Sequence, residues 1–281
     1  DYTTRLDVQL LPGVATNITV TPDSATQVTL SWTAGLAAAS YNYWFGTSST
    51  YTNNTEANTT GTSVTKTSLS PNTRYYLKVQ SVNAGGAVFA STHANAYTNP
   101  EAVSNVSVAG ASASSVTVSF TEASGGGVAT IRWSTSVYGT YSTGANNGGS
   151  GGSITQTGLD ANKDYFIVIH NYGTNGSYAS TSAGPNGRTF PDPPESLSLT
   201  SVTDDDMTLN FSAPSDGGAS SYIYYFGTNA TGTSNTATAV SNTNSITKSG
   251  LASLTTHYFT VVAVGTGGNS VAATTINAST L

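Results

Sequence analysis

Hydrophobic and polar residues alternate with a period of two along most of this chain, the pattern of strands with one buried face. Val28-Thr29-Leu30-Ser31-Trp32 is one such run, with its even positions apolar and an aromatic residue closing the inward face. The run recurs as Val116-Thr117-Val118-Ser119-Phe120 and again as Met207-Thr208-Leu209-Asn210-Phe211. A second strand repeats as Tyr43-Trp44-Phe45-Gly46-Thr47, Ile131-Arg132-Trp133-Ser134-Thr135 and Tyr224-Tyr225-Phe226-Gly227-Thr228, which predicts core positions for Phe45, Trp133 and Phe226. Pro12-Gly13, Asn99-Pro100 and Phe190-Pro191-Asp192-Pro193-Pro194 punctuate the chain at intervals of about 90 residues, a repeat period long enough for a complete β-domain. First strands are expected at Asn17 to Val20, Asn105 to Val108 and Ser196 to Leu199. The class is all-β: three tandem β-sandwiches, at 13–99, 100–190 and 191–281, preceded by an extension at 1–12.

Near the end of each repeat stands a further shared segment. It reads Leu69-Ser70-Pro71-Asn72-Thr73-Arg74-Tyr75, then Leu159-Asp160-Ala161-Asn162-Lys163-Asp164-Tyr165, then Leu251 to His257. An apolar strand follows each: Tyr76 to Val79, Phe166 to Ile169 and Tyr258 to Val262. With the second-strand aromatic and the closing Asn83-Ala84-Gly85-Gly86, this resembles the fibronectin type III (immunoglobulin-like) domain, most closely in the first repeat. The resemblance implies that the Tyr hydroxyl bonds back to the backbone at a corner between two strands. The second repeat departs from the pattern at Ala161 and Lys163, and the third carries His257 at the corner, where a ring N–H is expected to substitute for the hydroxyl.

The extension has its own pattern. Tyr2, Thr4, Leu6, Val8 and Leu10 alternate with Thr3, Arg5, Asp7 and Gln9, a strand with one face to bury. Each repeat already has a first strand, so this one is surplus. At about 3.3 Å per residue it spans about 36 Å, the height of a sandwich. It pairs with a neighbouring subunit, folds back on the first repeat's own sheet, or forms a tail. The first alternative is the pilin-like one, in which Tyr2, Thr4, Leu6, Val8 and Leu10 form a subunit interface and copies of the chain polymerise head to tail by strand addition.

Composition narrows the function. Charged residues are 8% of the 281, and the polarity is carried by Thr, Ser, Gly and Asn. The 8 basic residues are scattered against 14 acidic ones, for a net charge of −6, so no basic patch for nucleic acid is expected. No apolar run reaches the length of a membrane span. Cys is absent, which excludes disulfides and thiolate metal sites. Asp1 opens the chain and Met207 is its single Met, which suits a processed, exported form. An extracellular or cell-surface location follows as the expectation.

Chemistry-bearing motifs are few. His93, His170 and His257 fall in different repeats with no acid at ligand or triad spacing, and no nucleophile elbow, Walker loop or zincin motif occurs. The chain is expected to be no enzyme and to use no cofactor. Asp204-Asp205-Asp206 is the sole acidic cluster and a weak candidate for a hard cation, but it lacks spaced ligands and reads better as a solvated turn. Asn-x-Ser/Thr occurs at eight sites, about what chance gives in so Asn-, Ser- and Thr-rich a chain. Asn53 and Asn58, in an expected loop, are the candidate glycosylation sites, whereas Asn210 lies in a strand. Glycans are the other candidate partner, since Tyr138, Tyr141, Tyr172 and Tyr178 are not clearly core and exposed Tyr stacks on sugar rings. The rival function is accordingly a tandem spacer or carbohydrate-binding module of a secreted enzyme or adhesin. The Gly- and Ser-rich run at 142–152 is expected to be a mobile loop.

Overall fold

The computed structural model describes residues 9–181 and 184–281. The first repeat contributes β1 (Thr16–Pro22), β2 (Val28–Thr33), β3 (Ser40–Gly46), β4 (Thr55–Thr59), β5 (Ser63–Lys66), β6 (Arg74–Asn83), β7 (Gly86–Phe89) and β8 (Ala94–Tyr97). The second contributes β9 (Ser104–Ala111), β10 (Ser115–Thr121), β11 (Val128–Ser134), β12 (Ser142–Asn146), β13 (Ser153–Thr157), β14 (Asp164–Tyr172), β15 (Tyr178–Ser180) and β16 (Asn186–Arg188). The third contributes β17 (Glu195–Thr200), β18 (Met207–Ser212), β19 (Ser221–Gly227), β20 (Thr236–Ser241), β21 (Ser245–Lys248), β22 (Thr256–Gly265), β23 (Gly268–Asn269) and β24 (Ile276–Ser279).

Each repeat folds into the same two antiparallel sheets. One is β1-β2-β5; the other is β4-β3-β6, with β7 and β8 as successive segments of one edge strand along β6. The second and third repeats give β9-β10-β13 with β12-β11-β14, and β17-β18-β21 with β20-β19-β22, edged in the same way by β15 and β16 and by β23 and β24. This is the seven-strand order of a fibronectin type III-like sandwich, three times in tandem. Alternation along the strands produces it: in β3 the side chains of Tyr41, Tyr43 and Phe45 are buried while their neighbours are half-exposed. Each sandwich has a separate core. Trp32, Phe120 and Phe211 are buried at its centre, and Trp32 and Phe211 each pack against two tyrosines of the facing sheet.

Of the three aromatics expected at core positions in β3, β11 and β19, Phe45 is buried, stacked on Tyr75. Trp133 and Phe226 are instead half-buried at the core margin. Trp133 meets Tyr165 edge-on, and the Lys248 ammonium sits 4.2 Å from the Phe226 ring centre, so a cation covers the face that the core leaves open.

The run at 142–152 is not one loop. Residues Ser142–Asn146 form edge strand β12, tied down by Arg132 bonding the Tyr141 carbonyl and the Thr143 hydroxyl, and by the Ala145 N–H donating to Gln156. Cross-strand bonds outweigh the poor strand propensity of Gly and Asn. The remainder turns on Asn147, whose side chain accepts from the Ala129 and Gly149 N–H groups and donates to the Gly151 carbonyl.

The corner bond is present in all three repeats, in two chemistries. Tyr75 Oη accepts from the Ser70 N–H at 3.0 Å and Tyr165 Oη from the Asp160 N–H at 2.8 Å. In the third repeat His257 is buried and its Nε2 lies 3.3 Å from the Ala252 carbonyl oxygen, so the imidazole N–H donates where the phenols accept.

A buried threonine closes each repeat beside that corner. Thr98, Thr189 and Thr280 donate through Oγ1 to the carbonyls of Ser70, Asp160 and Ala252 at 2.7, 2.7 and 2.6 Å. The same three oxygens accept from the N–H groups of Thr73, Lys163 and Thr255. The chain then passes directly into the next sandwich, whose first strand begins with a bulge. Asn17, Asn105 and Ser196 stand there with φ of 49°, 51° and 53° at register shifts against β2, β10 and β18.

The junctions between sandwiches are built on one turn residue. Asn72, at φ 45°, donates through Nδ2 to the Gly125 carbonyl and accepts through Oδ1 from the Thr174 N–H, both in loops at the start of the second sandwich. Asn162, at φ 52°, occupies the same place at the second junction, against Gly218, where any Cβ would collide with the Asn162 side chain. Pro191, Phe190 and the Arg188 stem pack there on Gly265, Gly268 and Gly267. The Asp192 N–H donates to the Asp216 carboxylate at 3.2 Å.

Two outcomes are expected. Tyr165→Phe leaves the Asp160 N–H without its acceptor and should cost about 1–3 kcal/mol, read as a lower urea midpoint at unchanged m-value. Burial, then the neighbouring charges of Asp216 and Glu195, raise the Asp192 pKa above its ordinary value. A raised carboxyl stabilises the fold fully below the unfolded pKa and loses that contribution as pH rises through the folded one. Asp192→Asn should therefore be more stable than the parent at neutral pH, with the advantage shrinking toward about pH 4, as melting temperatures across that range will show.

Candidate functional site

The candidate assembly surface begins with the extension. Tyr2, Thr4, Leu6 and Val8 lie outside the described residues; Leu10 is described, with its side chain exposed. The Leu10 carbonyl accepts from Asn83 Nδ2 at 3.0 Å, and the same amide reaches the Ala37 carbonyl at 3.1 Å. An equivalent clamp holds the first linker, where Asn171 Nδ2 donates to the carbonyls of Glu101 and Gly126 at 2.8 and 3.2 Å. Leu10 is thus gripped at the leading end of the first sandwich as Glu101 is at the leading end of the second.

A strand arriving from elsewhere would need an unpaired backbone edge. Among the described residues each sandwich holds its seven strands, with no empty slot between them to fill. The edges differ in quality. β12 pairs with β11 at three positions around a register shift, and bulged edges resist further pairing. β4 pairs over five residues and carries Glu56. β20 pairs with β19 over six consecutive residues without a shift, Ser221↔Ser241 to Phe226↔Thr236, and its sequence Thr-Ala-Thr-Ala-Val-Ser has no charge and no proline. Edge charges, prolines and bulges are the usual guards against strand addition, and β20 has none of them.

The acidic cluster is a turn. Asp204, Asp205 and Asp206 are exposed except for partial cover of Asp206, and they link β17 to β18. The Asp206 backbone is closed by its carbonyl accepting from the Thr203 N–H at 2.9 Å and its own N–H donating to Thr203 Oγ1 at 2.9 Å. The Asp205 carbonyl accepts from the Leu251 N–H. Among the described residues no three acidic or imidazole groups converge as metal ligands. The two candidate glycosylation positions separate: Asn53 is exposed in the turn between β3 and β4, whereas Asn58 lies in β4 itself rather than in a loop, its amide bonded to Asn42 at 2.8 Å. Asn58 belongs to a strand because its neighbours alternate in register with β3, which a reading for loop residues overlooks.

The histidines are dispersed. His93 is exposed, edge-on to Tyr51. His170 stacks on Tyr178, ring centres 4.2 Å apart, and its buried Nδ1 has no hydrogen-bond partner. Burial, reinforced by the Arg132 charge, pushes the His170 pKa below the ordinary imidazole value, which favours a neutral packing ring. Of the four unassigned tyrosines, Tyr172 and Tyr178 belong to this stack, and Tyr138 is almost wholly exposed in the β11–β12 turn. Tyr141 precedes β12 and contributes its carbonyl to Arg132.

Sequence reasoning missed a ring-and-cation patch on the first sandwich. Lys78 lies 3.8 Å from the Phe89 ring centre, with Trp44 tilted against the same ring at 5.2 Å. A signal was there in the alternation, since Trp44 and Lys78 both occupy outward positions of paired strands β3 and β6. The lysine caps the aromatic face, leaving less ring for a ligand to stack on.

No family model matches this chain, and no curated protein matches it either. Among solved structures, it is similar to a crystal structure of the chicken CNTN1 FN1–FN3 domains, at 16% identity over 96% of this chain and 99% of that one, with a TM-score of 0.34. It is also similar to a two-domain fibronectin type III segment of chicken tenascin, at 14% identity over 63% of this chain and 99% of that one, with a TM-score of 0.37. Strand order, the paired sheets and the corner bond define the architecture: three fibronectin type III-like sandwiches in tandem.

Proposed function

We propose that this chain is the structural subunit of an extracellular filament, polymerising head to tail as the strand Asp1–Leu11 of one copy adds to a sheet edge of its neighbour. The observation that carries the reading is the pairing of a surplus amphipathic strand at one end of the chain with an unguarded edge, β20, in the third sandwich. With no slot to fill, addition is to an edge, and main-chain hydrogen bonds contribute about 0.5–1.5 kcal/mol each. Burying Leu6, Val8 and Leu10 contributes roughly 1.5–3 kcal/mol per side chain. These gains stand against an association cost of about 4–15 kcal/mol, so strand addition works best alongside a second interface between subunits.

Such an arrangement is heterologous and does not close on itself, so it extends into a fibre. Copies of the chain are the partner under this reading. No catalytic step, cofactor, nucleic acid or membrane insertion enters it, and glycans enter as modifications, Asn53 being the acceptor in a turn. The rival reading, a spacer or carbohydrate-binding module, is favoured by the nearly bare Tyr138 ring in the second sandwich.

Leu6→Asp combined with Val8→Asp should abolish filaments in negative-stain images while the melting curve of the subunit stays unchanged. Filaments of normal length from that double variant would reject strand addition. Retention of the parent chain on an immobilised glycan array, lost in Tyr138→Ala, would favour the rival.

A further inference from the structure

The exposed leucines of this protein are not scattered. Among the described residues they are Leu10, Leu11, Leu36, Leu254 and Leu281, and all five lie at the two ends of the tandem. Leu10 and Leu11 enter the first sandwich beside the β2–β3 turn that carries Leu36, with Val14 exposed against the same turn. Leu254 is in the turn before β22, and Leu281 follows Thr280 out of the third sandwich. Leu36 and Leu254 are 86% and 87% exposed, more than any core-forming role would leave them.

Leu254 stands where Asn72 and Asn162 stand in the other repeats, and it has the same left-handed backbone, φ 52°. Asn tolerates that conformation; a γ-branched apolar residue does so at a cost. In the first two repeats this is the residue that meets the next sandwich. The trailing end of the third sandwich keeps the rest of that architecture too. Thr280 makes the bonds that Thr98 and Thr189 make, and the Leu281 N–H donates to the Thr203 carbonyl as Asn99 and Phe190 donate to Ser24 and Ser112. The third sandwich therefore ends in a docking face of the type that carries a sandwich twice within the chain, with leucine in place of asparagine.

We infer that this face seats the leading end of a second copy, Leu254 and Leu281 packing against Leu36, Leu11 and Val14. The substitution of leucine for asparagine has a physical reason. A sandwich joined by a short linker is held at high effective concentration, so polar bonds such as those of Asn72 suffice. Two separate chains have no tether, and their interface must supply its own adhesion by removing apolar surface from water. Strain retained at Leu254 fits a residue kept for docking rather than for folding. The inference rests on the head-to-tail reading but not on strand addition: it names the second interface between subunits.

Sedimentation of the full chain over a concentration series tests it, with Leu254→Asp and Leu36→Asp as variants and Val137→Asp, an exposed position in the second sandwich, as the control for added charge. Each end variant should weaken self-association at least about tenfold, and the control should match the parent. Asp also suits a left-handed turn, so Leu254→Asp should melt no lower than the parent while associating less; misfolding would instead lower the melting temperature together with the association. Association unchanged in both end variants overturns the inference, as does an equal loss in the control. If end variants dissociate the chain while Leu6→Asp with Val8→Asp does not, end docking stands and strand addition fails; the converse rejects end docking alone. A parent chain that stays monomeric throughout rejects both.

Discussion

One buried hydroxyl per repeat sets the geometry on which the tandem depends. The Oγ1 atoms of Thr98, Thr189 and Thr280 each bridge a donor and an acceptor of the turn before the sixth strand. That turn also carries the corner bond and the left-handed residue at the junction. A threonine that is nearly or wholly buried must satisfy its hydroxyl inside the protein, and here it donates to one backbone carbonyl of the turn and accepts from one backbone N–H. The last strand of each sandwich is thereby fixed to the turn that meets the following one.

Much of this architecture was legible in the sequence because it rests on period-two alternation and on repetition. The second-strand aromatics Trp32, Phe120 and Phe211 fell where the repeated runs put them, and His257 replaced the corner tyrosine by a bond of opposite polarity to the same turn. What the sequence concealed depends on partners distant along the chain. Glycine, serine and asparagine at 142–146 have no strand preference of their own, and it is Arg132 and Gln156 that hold them in β12. Trp133 and Phe226 share the pattern of Phe45 but sit at the margin, because depth in a core is set by the facing sheet and not by alternation. The exposed leucines at the ends were individually unremarkable, since a lone surface leucine is common; their meaning lies in where the fold gathers them.

A chain with so few charges also uses them in an unusual way. Lys66, Arg74, Lys78 and Lys248 each lie over an aromatic ring, and among the described residues the one ion pair joins Arg188 to Asp164. Cations committed to rings do not guard sheet edges, and β20 is left without a charged residue along its length. The surface that hydroxyls and amides keep hydrated is thus also one on which backbone edges remain approachable.

The way each sandwich joins the next has a mechanical consequence. The chain enters a sandwich at the end bearing the loops that receive Asn72 or Asn162, and leaves from the opposite end, where the buried threonine anchors it. A pull on the tandem therefore acts along the first and last strands, which belong to different sheets. Tension in that direction loads the hydrogen bonds of β1 to β2 and of β8 to β6 in shear, several at once, instead of peeling them one by one. Resistance to stretching is then governed by the rate of unfolding rather than by equilibrium stability.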